Sequence, residues 1–553
     1  MKYSRKFTAI VLMFVLCLTL AACTGNSPAS TGGGATSTTP TGGGSASPSP
    51  TATDRQDVLV PGDLIEAPKG EDVKYADMIT ISIGDNIAVI DPFAQGAVSS
   101  VYLNIYTMIF DNLVYRTPDG DFVPQLATSW ETNDMQTYIF HLRDDVYFHN
   151  RDKFTSQDVV NTFLLASDPS AAGAQADAIW RHVKSVTAID EYTVEIVTTQ
   201  VNSEFLYHLT VPGGGIINKA AREADPIRGS WVGTGAFYVS DFVSGDYVDV
   251  TRNDDYWGTL PITRVVRMRL IPEMAARTIM QLNNETQMSV VISPNDLDMF
   301  ADHPDHVVYG FASNANHCLF FNLNHPIFSD RNFRMAVAHC VDRAEMAIAA
   351  GGNWMIPTQD GSWWGDTTPY RNTDLPLIPY DLDKAKEYLA LSQYKGEELE
   401  IMTAPDALTI SSQVLAEQLG RIGIKTRVFS TDIATLIGRS QYGSTSMEML
   451  HFVAPFSLNA SSARFMFYTG QGANRSSYSN AEVDRLLDLA LEVPMDEQEA
   501  IYKKVQEIVY EDIPGLGLYE RIQTIVTHKN LGGIIINADM YHDFRGIFMT
   551  LDD

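Results

Sequence analysis

Apolar residues recur along most of the chain in short runs, with two different periods. Tyr138, Phe140 and Leu142 are separated by Ile139 and His141, and Val146 and Phe148 follow Arg143-Asp144-Asp145. A period of two places one set of side chains on one face, so this stretch predicts two strands joined by a tight turn. Val266, Met268 and Leu270 predict a further strand, with an Ala-rich helix expected after Pro272. Elsewhere the spacing is that of a helix face: Val159, Val160 and Phe163, then Val483, Leu486 and Leu487, then Ile501, Val505 and Ile508. Ahead of these faces Thr155 with Asp158, Ser479 with Glu482, and Asp496 with Glu499 have the spacing of capping boxes. No short repeat is present. Helices and strands mixed throughout predict α/β domains, not a β-sandwich or a helical bundle.

The amino terminus departs from this pattern. Phe7 to Leu20 is almost uninterrupted apolar sequence behind Lys2, Arg5 and Lys6, too short for a comfortable span of roughly 20 residues. It ends at Leu20-Ala21-Ala22-Cys23, which resembles a bacterial lipoprotein box. That resemblance implies a signal peptide over residues 1–22 and diacylation of Cys23, giving the two acyl chains that stable attachment requires. Residues 23–72 then read as a linker. From Thr24 to Thr53 there is no charge and no large apolar side chain, so the segment cannot offset its ordering entropy and would act as a tether reaching roughly 30 Å.

Beyond the linker, about 480 of the 553 residues have ordinary globular composition. That is too long for one core and predicts two or three domains. The chain carries 39 basic and 68 acidic residues, a formal charge of −29. Such a surface argues against nucleic acid, whose binding rests on neutralising phosphates. Of four cysteines, Cys17 leaves with the signal and Cys23 is acylated, and apolar neighbours mark Cys318 and Cys340 as buried free thiols. Nucleophile-elbow, zinc-protease, nucleotide-loop and Cys-x-x-Cys motifs are all missing, and Gly233-Thr234-Gly235 is followed by Phe237 and Tyr238 where a dinucleotide loop needs a third glycine. The expectation is a protein that is not an enzyme and uses no cofactor.

A longer match then emerges. Pro124-Gln125-Leu126-Ala127-Thr128-Ser129-Trp130-Glu131 leads through Thr137 to His149 and on to Phe154-Thr155-Ser156-Gln157-Asp158-Val159-Val160. This run resembles the signature of the family-5 solute-binding proteins, the peptide- and nickel-binding receptors of ATP-driven (ABC) importers. Ile90-Asp91-Pro92, Asp111-Asn112-Leu113-Val114, Asn253 to Gly258, Phe321-Asn322, Asp342-Arg343, Tyr478 to Glu482 and Asp512-Ile513-Pro514 keep the family's order along the chain. The resemblance implies an α/β, two-lobed periplasmic-binding-protein type II (cluster C) fold with an extra inserted domain. Its expected boundaries are lobe I at 73–115, 229–315 and 521–553, the inserted domain at 116–228, and lobe II at 316–520. It further implies a monomer on the extracytoplasmic face of the cell membrane, with a Gram-positive surface suggested by the tether. The implied partners are a peptide or other small-molecule ligand, a permease and an ATPase.

The candidate ligand contacts come from the same resemblance and from side-chain chemistry. The loop after Asp91-Pro92 brings Gln95, Gly96 and Ala97, with an amide that donates and accepts beside a glycine that allows close approach. Trp363 and Trp364, flanked by Gly361 and Gly365, look like an exposed pair suited to stacking. Between Met449 and Pro455, His451 and Phe452 are candidates, and His451 is the attractive ligand should the solute be a metal chelate. Many peptide-binding relatives place here an Asp that pairs with the peptide's α-amino group; Ala454 stands near that position. Blocked or modified peptides, oligosaccharides and other amphiphilic solutes thereby gain weight, and a surface protein without a transport role stays open.

Overall fold

The computed structural model describes residues 58–59, 64–66, 73–94, 99–117, 120–168, 180–290, 292–300, 302–358, 361–365, 368, 370–405, 407–455, 462–537 and 541–551. The signal peptide, Cys23, most of the linker, and Gln95, Gly96 and Ala97 lie outside them. Among the described residues no helix is long and apolar enough to cross a membrane.

Ten strands set the frame: β1 (Met78–Ile83), β2 (Phe237–Val243), β3 (Tyr247–Arg252), β4 (Val265–Leu270), β5 (Met288–Val290), β6 (His306–Phe321), β7 (Glu398–Thr403), β8 (Lys425–Ser430), β9 (Met449–Pro455) and β10 (Gly515–His528). They hydrogen-bond in the order β2-β3-β4-β1-β5-β10-β6-β9-β7-β8. β1 runs parallel to β4 and β5, and β7 parallel to β8 and β9. Burial separates the two ends of this path. At one end Ile79, Ile81, Val250 and Met268 share a core with Tyr106, Met108 and Ile109 of the helix Ser100–Ile109. At the other end both faces are covered. Leu319, Phe321, Ile401 and Leu516 face one helical layer containing Phe333, Val337 and Leu415. Cys318, Phe320, Met402 and Leu450 face a second containing Val483, Leu487 and Val505. Alternation along β6 therefore fills two cores at once, as a sheet buried on both faces requires.

Thr137–Leu142 is a strand, as its alternation predicts, in a separate antiparallel sheet with Ala127–Glu131, Thr193–Thr198 and Val183–Asp190. Its predicted partner at Val146 to Phe148 does not form. Val146 and Phe148 are buried, but Tyr147 makes only one bridge, to Lys153, because the chain turns back at Arg151 with a positive φ of 74°. Thr155 and Asp158 do form a capping box at the helix Ser156–Ala166. The other two boxes are corrected. Asn480 caps Ala481–Glu492, accepting from the amides of Glu482 and Val483, while the Ser479 hydroxyl is taken by Thr469. Asp496 sits in a 3-10 turn, and Glu499–Asp512 starts after Gln498. Met274–Leu282 and Val265–Leu270 are helix and strand as expected. Cys318 and Cys340 are free and buried.

One buried carboxylate ties the first core together. Asp111 accepts from Gln125 Nε2 (2.9 Å), Thr234 Oγ1 (3.1 Å), Tyr256 Oη (3.1 Å) and Trp257 Nε1 (3.0 Å). Burial pushes its carboxyl above the usual range, against the pull of Arg545 and these donors. The Gly233-Thr234-Gly235 motif serves the same junction. Side chains at Gly233 and Gly235 would overlap the backbone carbonyls of Ile109 and Met108, so the glycines permit backbone contact and hold no nucleotide. Replacing Asp111 with Ala orphans two buried donors, Gln125 and Thr234, and two half-buried ones, Tyr256 and Trp257, and is expected to cost about 3 kcal/mol or more, whereas Thr155→Ala costs about 1 kcal/mol. Chemical denaturation of the two variants checks the ranking.

Candidate functional site

β6 and β10 are the longest strands of the sheet, and they connect its two halves. They pair from His306–His528 to Ala312–Ile522, and again from Asn316–Glu520 to Phe320–Gly515, with the register broken between the two stretches and once more between His317 and Cys318. In the first stretch β10 borders β5; in the second, β6 borders β9. A register break within two strands that bridge separate cores concentrates bending at one level, as a hinge requires.

The side chains at this level are polar and buried. Asn316 is fully buried and donates through Nδ2 to the Trp363 carbonyl at 2.8 Å. A Cβ on Gly365 would lie 2.8 Å from both Asn316 Oδ1 and Glu520 Cδ. The loop 361–365 lies flat on β10, since a side chain at Gly517 would overlap the Ser362 carbonyl and one at Gly515 the Trp363 ring. Trp363 and Trp364 are only 3% and 4% exposed. Trp363 meets Phe320 and Phe467 edge-on at 5.0 and 5.2 Å. The expectation of an exposed stacking pair is thereby corrected: the slot over two strand glycines takes the indoles into the core. Glycines at alternate strand positions 515 and 517 were the available signal, because they mark close approach by another segment.

His451 is also buried. Ser412 Oγ lies 2.8 Å from its Nδ1, and Tyr519 Oη 3.3 Å from its Nε2. Burial holds this imidazole down to about 3, and pushes His317, stacked 4.5 Å from Tyr519, well below its usual range. Both ring nitrogens of His451 are engaged, which corrects the view of it as an open metal ligand; among the described residues no group of three His, Cys, Asp or Glu could hold a metal. Phe452, next along β9, is half-buried with the Arg475 guanidinium 5.5 Å from its ring centre. Arg475 escaped the sequence reading because it is distant in the chain and no local pattern marks it. Ala454 is paired with Asn316, at the level of the crossing. Glu448 lies at the other end of β9, where its carboxylate accepts from the Glu400 amide.

Asp91 lies in the segment that follows β1. Its carboxylate accepts from the Phe93 amide (2.9 Å) and from both terminal nitrogens of Arg222 (2.9 and 2.7 Å). The bidentate pair fixes the segment at 91–93; Gln95, Gly96 and Ala97, next in the sequence, lie outside the described residues.

His451 and His542 are buried and His149 and His208 half-buried, and desolvation lowers the folded-state values from 6.5 to about 4 for His149 and about 3 for the other three. The unfolded chain therefore takes up protons first as pH falls through 6.5. The stability these groups contribute is present above that pH and is lost toward pH 3–4, by up to about 1.4 kcal/mol per pH unit for each histidine. Urea titrations at pH 7 and pH 5 are expected to show this loss, and His451→Asn to reduce the slope by about one histidine.

Comparison with known proteins agrees with this architecture. Residues 121–475 match the family described as bacterial extracellular solute-binding proteins, family 5 middle. Di/tripeptide-binding protein 2 of Pseudomonas aeruginosa is 24% identical over 472 residues, covering 77% of this chain and 86% of its own length. The ABC transporter substrate-binding protein CtaP of Listeria monocytogenes superposes with a TM-score of 0.76 at 20% identity, over 86% of this chain and 100% of that one. The periplasmic binding protein DppA of Helicobacter pylori, solved with the peptide STSA, gives 0.73 at 22% identity, over 86% and 99%. With its family signature spanning more than half of its length, this chain belongs to the family-5 bacterial extracellular solute-binding proteins.

Proposed function

We propose that this protein captures a peptide or peptide-like solute between two lobes and delivers it to the permease of an ABC importer, whose ATPase subunits supply the energy. The observation that carries this reading is the pair of strands, β6 and β10, that alone among the long strands run between separately cored halves. Closure about such a crossing shields a solute by contacts to both halves at once. Lobe I would comprise 73–115, 229–315 and 521–553, lobe II 316–520, and the inserted domain 116–228. Cys23 would hold a monomer at the extracytoplasmic membrane face through its lipid, with the linker as a tether. The chain would bind without chemistry and without a cofactor.

Relatives named for di/tripeptides, and a neighbour solved with a peptide, support a peptide solute. Ala454 gives no charge to an α-amino group, and a desolvated ammonium needs a carboxylate partner. The solute would therefore present a blocked or otherwise neutral amino end. Arg475, beside Phe452, offers a cation instead and suits an acidic group on the solute. Gln95, Gly96 and Ala97 would supply the facing wall.

The test is mass spectrometry of the mature domain, expressed without residues 1–54, purified natively and then denatured to release what it holds. Peptide masses are expected, with blocked amino ends. Ordinary free-amino peptides would overturn the role given to Ala454, and only sugars or chelates would overturn the peptide reading. If peptides are held, Ala454→Asp is expected to raise affinity for free-amino peptides over their acetylated forms, measured by calorimetry.

A further inference from the structure

The two halves touch at a second place, away from the crossing strands. The turn Asn202-Ser203-Glu204 leads into the short helix Phe205–Leu209, and Phe205 and Leu209 belong to the first core. The turn itself points elsewhere, into the helix pair Ala481–Glu492 and Glu499–Asp512, which carries the third core. The Ser203 amide donates to the Leu491 carbonyl at 3.1 Å. Gln498 Nε2 donates to Ser203 Oγ at 3.0 Å, and also to the Ala490 carbonyl at 2.8 Å. Tyr502 Oη donates to Glu204 Oε1 at 3.1 Å. Glu204 and Gln498 are fully buried and Tyr502 is 3% exposed.

This contact has an unusual composition. Core residues from two separate clusters stand behind it, yet the contacts named at the surface between them are hydrogen bonds. Apolar contact would weld the halves, because separating it exposes oily surface. Polar groups exchange partners with water at small net cost, while a bond to a charged acceptor still contributes more than a neutral one. Such a surface can open repeatedly and yet favour the closed arrangement. Tyr502 is held for this role. Its ring lies nearly parallel to that of Tyr370 at 6.0 Å, and Tyr370 Oη donates to the Met495 carbonyl at 2.7 Å, beside Gln498. The sequence gives no hint of the contact, since residues 203–204 and 498–502 lie almost 300 positions apart.

We propose that Glu204 and Tyr502 form a clasp, made on closure and broken on opening, that sets how long the solute is retained although neither residue touches it. They are positioning residues for binding. The clasp rests on the proposed opening and closing of the lobes, and it assigns the closed state a stabilising contact that is independent of the solute.

The experiment uses the mature chain, stripped of solute by denaturation and refolding, and a pool of synthetic tri- to pentapeptides as probe. Small-angle scattering reads the radius of gyration with and without the pool, and native mass spectrometry reads peptide release. The wild type is expected to shrink on binding. Tyr502→Phe keeps the ring and its stacking; it should enlarge the stripped protein and speed release about tenfold, the scale of one charge-assisted hydrogen bond. Glu204→Ala should do the same, while Glu204→Gln, which keeps an acceptor oxygen, should return toward wild-type release. If the wild type contracts but Tyr502→Phe and Glu204→Ala match it in size and release rate, the clasp is overturned and the closure reading stands. A wild type of constant size with or without bound peptide overturns both. Binding of no peptide with an unchanged radius for Tyr502→Phe overturns the clasp together with the peptide reading; an enlarged radius for that variant supports the clasp even then.

Discussion

The ladder between β6 and β10 is the interaction on which the remaining architecture depends. It is the seam where a half built on β1 to β5 meets a half built on β7 to β9, β10 bordering the first through β5 and β6 the second through β9. A ladder of this length is rigid along most of its course, because every pair adds cross-strand hydrogen bonds. Breaking the register twice within a few residues, between Ala312 and Asn316 and between His317 and Cys318, confines bending to that level. The loop 361–365 and the strand β9 arrive at the same level, where Asn316 meets the Trp363 carbonyl and pairs with Ala454.

Each half is made rigid by a different device. In the first, the four donors around Asp111 and the bidentate Arg222–Asp91 pair join segments far apart in sequence. Charge-assisted bonds of this kind specify geometry strongly, because leaving any donor unpaired in a buried setting is costly. In the second, burial of both sheet faces and aromatic packing of Trp363 against Phe320 and Phe467 do the equivalent work. The polar contact of residues 203–204 with 498–502 stands apart from both devices, being the kind of surface that can separate without exposing a core.

Local patterns predict structure where local physics decides. Thr137–Leu142 and Val265–Leu270 are strands because alternation alone places their apolar side chains on one face. Thr155–Asp158 is a capping box because both partners lie within one turn. The failures fall where a neighbour outbid the local pattern. Ser479 matched the spacing, but Asn480 reaches two amides and Ser479 found Thr469. Val146 and Phe148 alternate, yet they serve as buried anchors just ahead of the turn at Arg151 instead of as a paired strand.

The sequence by itself determined the family, the α/β class, the expectation of a lipid-attached chain with a tether, and the lack of a familiar catalytic motif. Each rests on contiguous residues or short spacings, whose meaning does not depend on what lies across the molecule. Only the tertiary structure decided that Trp363, Trp364 and His451 are enclosed. Trp363, Trp364 and His451 looked available because flanking glycines and an isolated imidazole carry no record of Gly515, Gly517, Ser412 and Tyr519, the groups that enclose them. Arg475 beside Phe452, and Glu204 beside Tyr502, were likewise invisible. Burial and partnership are properties of pairs brought together by folding, and a linear pattern reports them only when both members lie within a turn or a strand of each other.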